Sequence, residues 1–328
     1  MENYRLTAPR YESMEYRRCG RSGLLLSELA LGFWHNFGYS FTPDGKLMQE
    51  RLPSDYGRCR DIVHCAFDNG ITYFDLADNY GPPYGSAEEC FGRILADGLR
   101  THRDEMVIAT KAGHDMWPGP YGEWGSRKHL MAGIDQSLRR MGLDYVDIFY
   151  SHRPDPRTPL QETMQALVDI VRSGKALYVG ISKYPADMAA QAYEYLAAHD
   201  TPCIVYQGKY NMMVRAHEQD ILPQCAERGV GYVAFSPLNQ GLLTDRYLDG
   251  IPADSRMARS TFLDKSRDLT PDYFDLLRQV SAEAAAQGLT TAQHALRWCL
   301  QRPEVSSVII GASSVEQLRQ NLKAVGRG

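Results

Sequence analysis

The run Phe74-Asp75-Leu76-Ala77-Asp78-Asn79-Tyr80-Gly81 sets a carboxylate and a phenol just after an apolar, strand-like segment, Ile71-Thr72-Tyr73-Phe74. Two later apolar segments also end on ionisable side chains. They are Val107-Ile108-Ala109-Thr110-Lys111 and Val146-Asp147-Ile148-Phe149-Tyr150-Ser151-His152. Taken singly, each polar residue has an ordinary structural explanation: an Asp caps the next helix, a Lys is solvated. Together they argue for a site, because parallel neighbouring strands would bring Asp75, Tyr80, Lys111 and His152 to one rim. A phenol with a pKa near 10 is a poor acid at neutral pH. An ammonium beside it stabilises phenolate and lowers that value. Lys111 is the expected ammonium, Asp75 the group that holds it, and His152 the hydrogen-bonding partner of a substrate oxygen. Such a site protonates an oxyanion as it forms, which is what carbonyl reduction needs. The hydride must come from a cofactor, because no side chain donates one.

The elements that would position these residues follow from the hydropathy pattern. Short aliphatic runs beginning near Glu28, Ile71, Met106, Tyr145, Ala176, Cys203, Gly231 and Ser306 alternate with longer amphipathic segments, as βαβ units do. Eight units predict an α/β fold of the (β/α)8 TIM barrel type, one domain over residues 1–328. A short N-terminal β-hairpin is expected as well, and residues 1–18 are read as an N-terminal extension. A doubly wound sheet is the competing reading. Helices are predicted over 55–68, from Ser86 as N-cap, and over 127–141, where Leu130, Ile134 and Leu138 fall at helical spacing. Pro159, Pro185 and Pro271 fit first-turn positions. Three long segments, 34–53, 114–126 and 240–270, each follow a strand. In a barrel they stand on the face that carries sites.

Other classes are disfavoured. A formal charge of −4 over 328 residues gives no basic footprint for nucleic acid. No stretch approaches a membrane span, and no leader-like apolar segment opens the chain. Seven scattered cysteines without a C-x-x-C pair fit reduced thiols in a cytoplasmic protein and no metal site. Gly229-Val230-Gly231-Tyr232-Val233-Ala234 matches G-x-G-x-x-A but leads into a strand, the wrong context for a dinucleotide turn. Gly180-Ile181-Ser182-Lys183-Tyr184 lacks the last glycine of a nucleophile elbow.

The segments FDLADNYG, ATKAG, YSHRPD, GKALYVGIS, Gln207 with Tyr210-Asn211, and IIGASSVEQLRQN, in that order from about Leu24 to Val325, together resemble the aldo-keto reductase superfamily. Within it the chain is similar to the branch shared with potassium-channel β subunits, and to bacterial members of that branch that reduce glyceraldehyde 3-phosphate. The resemblance implies a TIM barrel, NADPH/NADP+ as cofactor, and a catalytic tetrad of Asp75, Tyr80, Lys111 and His152 with Tyr80 as general acid. It also implies cofactor contacts. Gly32, Trp34 and Asp75 are among them; Ser182 and Gln207 hold the carboxamide of nicotinamide, and Phe235 stacks on its ring. Ser236, Leu238, Gly241 and Leu242 line the pyrophosphate path. Arg246 and Arg256 approach the 2′-phosphate, which a guanidinium suits, while Gly311, Ser313, Gln317 and Asn321 hold the adenosine end.

The implied substrate is a small aldehyde, glyceraldehyde 3-phosphate or methylglyoxal, bordered by Trp34, Tyr80, Trp117, His152 and Arg153. His35, Arg127 and Lys128 stand on neighbouring loops. Relatives assemble as homo-tetramers or octamers. The alternative from another class is an NADPH-binding regulatory subunit like those of potassium channels. The full tetrad, His152 included, favours turnover. The chain departs from the family pattern at Lys183, where relatives carry Asn, Ser or Arg, and at Gly208-Lys209. Its end at Gly328 lies soon after Asn321, so the resemblance bears more on cofactor than on substrate.

Overall fold

In a computed structural model, which describes residues 10–38, 53–248, 250–252, 257 and 263–326, the eight predicted strands are parallel and close into a ring. A small antiparallel hairpin comes first, β1 (Tyr16–Arg18) and β2 (Leu25–Ser27). The barrel follows as β3 (Leu29–Gly32), β4 (Tyr73–Asp75), β5 (Val107–Ala112), β6 (Val146–Ser151), β7 (Ala176–Ser182), β8 (Cys203–Lys209), β9 (Gly231–Phe235) and β10 (Val305–Ile310). Each strand pairs with the next in sequence, and β10 returns to β3. This is a (β/α)8 barrel, and the doubly wound alternative is set aside.

Successive strand side chains alternate between two environments. Phe74 and Phe149 face outward into the layer between barrel and helices, with Phe67, Phe91, Ile134 and Leu167. Tyr73, Val107, Ala109, Ile148, Tyr150, Val205 and Val233 fill the barrel interior, and Cys19 and Leu26 of the hairpin segment pack against the same cluster. The alternation also fixes the site. Asp75 continues the inward face of Tyr73, and Lys111 that of Val107 and Ala109. The register sets Asp75 opposite Ala109 and Lys111 opposite Tyr150, so the polar residues come at the carboxyl ends, above an apolar floor.

Gly180 on β7 lets Tyr150 lie inside the barrel. A Cβ there would sit 2.5 Å from Tyr150 Cε1 and 2.7 Å from Val205 Cγ1. Gly180→Ala is therefore expected to destabilise the protein by about 1–3 kcal/mol, the usual cost of overpacking a closed core. A fall in the denaturant midpoint at unchanged slope would show it; an unchanged midpoint would mean that Tyr150 moves freely.

The helices follow their sequence cues with small corrections. The helix Arg127–Met141 is capped by Ser126, whose Oγ accepts from His129 N, and ends at Gly142 with φ 65°. Ser86 is not an N-cap: Gly85, at φ 86°, holds that position, and Ser86 is the first, buried residue of the helix Ser86–Ile94. Pro159 and Pro185 are N-caps, whereas Pro271 lies in the first turn. Gly229 ends the helix Ile221–Arg228 at φ 70°, and Gly231 opens β9, so the G-x-G-x-x-A match is a helix-to-strand turn. The seven cysteines are buried free thiols. No described helix is long and apolar enough to cross a membrane.

Candidate active site

Asp75 is the last residue of β4, and both its carboxylate oxygens are engaged. Oδ2 accepts from Lys111 Nζ at 2.7 Å, and Oδ1 accepts from Gln207 Nε2 at 2.8 Å and from Tyr73 Oη at 3.4 Å. Tyr73 Oη is also 2.9 Å from Tyr150 Oη. This tyrosine pair beneath the carboxylate had no signal in the linear sequence except the inward period of β4 and β6. Lys111, fully buried, gives a second hydrogen bond to Leu76 O at 2.6 Å. Burial pulls its pKa below the ordinary lysine value, against the raising influence of Asp75, Asp78 and Glu88.

Tyr80 and His152 complete the cluster. Lys111 Nζ lies 5.1 Å from the Tyr80 ring centroid, and the Tyr80 and His152 rings meet edge-on at 5.9 Å. His152 follows β6, its backbone N donating to Ala112 O at 2.9 Å. Burial and the cations Lys183, Lys111 and Arg153 hold its imidazole well below the usual range, hence neutral. Its Nδ1 is buried without a hydrogen-bond partner. The tuning of Tyr80 differs from the sequence expectation. Burial first, then Asp75 and Asp78, push the phenol well above its ordinary pKa. The protonated phenol is thus the stable form at neutral pH.

A buried scaffold supports the loop that carries Tyr80. Glu88 accepts from Thr110 Oγ1 at 2.5 Å and from Arg140 Nε at 2.7 Å. Ala87 N donates to Tyr80 O at 3.2 Å, and Asp78 N donates to Lys111 O at 3.0 Å.

The remaining expected site residues divide by strand. Gly32 ends β3, and Trp34 follows it, its ring 3.8 Å from that of His35. Ser182 ends β7 with its hydroxyl buried and unpartnered. Gln207 lies in β8, and the partly exposed Phe235 ends β9. Ser236, at φ 54°, leads into a turn with Leu238, Gly241 and buried Leu242; Arg246 lies exposed in the turn Asp245–Tyr247. Gly311 and Ser313 follow β10, Ser313 N donates to Gln317 Oε1 at 2.8 Å, and buried Asn321 lies on the same helix, Val315–Leu322. Because β9, β10 and β3 are neighbours, these segments share one side of the rim. Arg256 lies outside the described residues.

Two expected substrate contacts are otherwise engaged. Trp117 packs on His129 at 5.2 Å. Arg153 pairs with Glu123, donates to Gly113 O at 2.9 Å and lies 3.8 Å over the Trp124 ring. A pair not predicted as site residues reaches His152 instead. His114 meets it edge-on at 4.4 Å, and Lys183 Nζ is 3.2 Å from His114 Nε2. The departure at Lys183 from the family pattern was the one signal for it.

Residues 28–327 match the family model described as the aldo/keto reductase family. The chain is 50% identical to an L-glyceraldehyde 3-phosphate reductase of Escherichia coli over 96% of this chain and 89% of that protein. It is 37% identical to a probable voltage-gated potassium channel subunit beta of Arabidopsis thaliana, over 95% and 91%. It is 36% identical to a putative channel subunit of the same type from Schizosaccharomyces pombe, over 96% and 89%. With the barrel and the residues at its rim, these matches across nearly the whole chain make it a member of the aldo/keto reductase family.

Proposed function

We propose that this oxidoreductase reduces small aldehydes with NADPH, with glyceraldehyde 3-phosphate and methylglyoxal as the best candidate substrates. The observation that carries the reading is the convergence of Tyr80, His152 and the Lys111–Asp75 pair at the carboxyl-end rim. The residues present suit the cofactor. The unpartnered, buried Ser182 hydroxyl and the Gln207 amide offer a carboxamide donors and acceptors, and the Phe235 ring offers a face for stacking. When bound, nicotinamide supplies the hydride.

The chain's own groups do the rest. Neutral His152 retains one ring N–H, which orients the substrate carbonyl and polarises it. Tyr80, protonated in the resting protein, gives its proton as charge develops on the carbonyl oxygen. Lys111, held by Asp75, stabilises the phenolate left behind, since an adjacent ammonium favours the charged phenol. Desolvation makes each of these contacts stronger than in water. Oxidation of NADPH at 340 nm (an optical property of the cofactor) with methylglyoxal and with glyceraldehyde 3-phosphate tests the reading. Turnover of either supports it. Tight NADPH binding without turnover of any short aldehyde would favour the regulatory-subunit reading suggested by the channel-subunit relatives.

A further inference from the structure

Beyond the tetrad, the barrel rim holds a cavity of about 280 Å³ lined by Lys183, Tyr184, Pro185, Tyr206, Lys209, Val214, Ala216, His217 and Phe235. Its wall contains two lysines and no carboxylate. Pro185 is the N-cap of the helix Ala186–Ala198, where no side chain caps the first turn. The orphan N–H groups of that turn add positive potential, although Asp187 on the same turn opposes it. Lys183 itself is exposed, with φ 62°, a backbone region few non-glycine residues adopt. Its backbone N donates to Gln207 O at 3.2 Å. From there the ammonium reaches His114 Nε2 at 3.2 Å and stands 5.8 Å from the Phe235 ring centroid. Lys183 is therefore one histidine away from His152 on one side and forms the cavity wall on the other.

We infer that the cavity between Lys183 and Lys209 receives the anionic end of the aldehyde whose carbonyl meets Tyr80 and His152, with Lys183 making the main contact. This rests on the reductase reading and adds to it a specificity-determining residue. The chemistry is that of a phosphate or carboxylate a few bonds from the carbonyl. A lysine suits it as a compact point charge with three donors. His114 orients the ammonium as a neutral acceptor: burial first, then Lys183, brings its pKa down to about 3. The other expected cation, Arg153, is tied to Glu123 and Trp124, whereas Lys183 forms part of the cavity wall.

The test compares kcat/KM for glyceraldehyde 3-phosphate with that for glyceraldehyde, the same carbon skeleton without the phosphate. Lys183→Gln should lower this ratio by about tenfold or more, the scale of one lost charge-assisted hydrogen bond. The change should lie mainly in KM for the phosphorylated aldehyde. Lys183→Arg should keep most of the ratio, and Lys209→Gln should lower it by less. A ratio unchanged in Lys183→Gln, or changed equally in Lys183→Arg, overturns the inference. If the wild-type protein reduces neither aldehyde with NADPH, the reductase reading fails, and binding of inorganic phosphate by calorimetry decides the site alone. Phosphate binding by the wild type that Lys183→Gln abolishes supports the anion site; its absence in the wild type overturns it.

Discussion

Tyr80→Phe should lower kcat by at least about 10²-fold, the lower end of what a general acid contributes, while NADPH binding stays near that of the wild type. The asymmetry follows from position. The Tyr80 ring lies 5.1 Å from the Lys111 ammonium and 5.9 Å from the His152 ring, whereas most groups expected to hold the cofactor lie on other strands, β3 and β7 to β10, and the segments after them. Removing one oxygen from a ring that keeps its packing leaves the fold intact. Steady-state kinetics with methylglyoxal, paired with a fluorescence titration of NADPH, measures both quantities. Turnover within a few-fold of wild type would remove Tyr80 from the acid role. The pH profile should carry the same message: burial and the carboxylates of Asp75 and Asp78 hold the phenol protonated far above neutrality, so its own titration should not limit the rate between about pH 6 and 9.

The second large effect concerns stability. Glu88→Ala should destabilise the protein by about 3–5 kcal/mol, the range for removing one partner of a buried ion pair. Glu88 is fully buried and accepts from both Arg140 Nε and Thr110 Oγ1. Its loss strands a largely buried guanidinium and a buried hydroxyl. The damage sits between the helix Ser86–Ile94, the helix Arg127–Met141 and β5, the elements that fix the loop of Tyr80. A drop in the denaturant midpoint with unchanged slope is the expected readout. Arg140→Met in the same background should recover part of the loss, since a pair replaced by apolar groups costs less than a pair broken. A midpoint close to wild type in Glu88→Ala would show that water reaches Arg140 and solvates it.

The fold was legible to within a residue or two at most strand starts, because apolar runs of strand length separated by amphipathic helical segments have few other packings. That Asp75, Lys111 and His152 lie close together was legible for the same reason: they stand at or beside the carboxyl ends of successive strands, and parallel pairing puts those ends side by side. What was misread was local or electrostatic. Ser86 has the composition of a cap, but the left-handed turn at Gly85 starts the helix one residue earlier. Lys111 has the charge to acidify Tyr80, but that charge is paired with Asp75 at 2.7 Å. Burial and two carboxylates then outweigh it.

By itself the sequence determined the barrel, the family's motif set and which side chains stand at the rim, since these depend on period and order along the chain. Tertiary structure alone decided how those side chains share their hydrogen bonds. The tyrosine pair under Asp75, the Glu88–Arg140 brace and the line from Lys183 through His114 to His152 join residues 77, 52, 69 and 38 positions apart. No spacing rule links such residues. Ring closure and the burial it imposes bring them within reach, and low-dielectric surroundings make each remaining contact count.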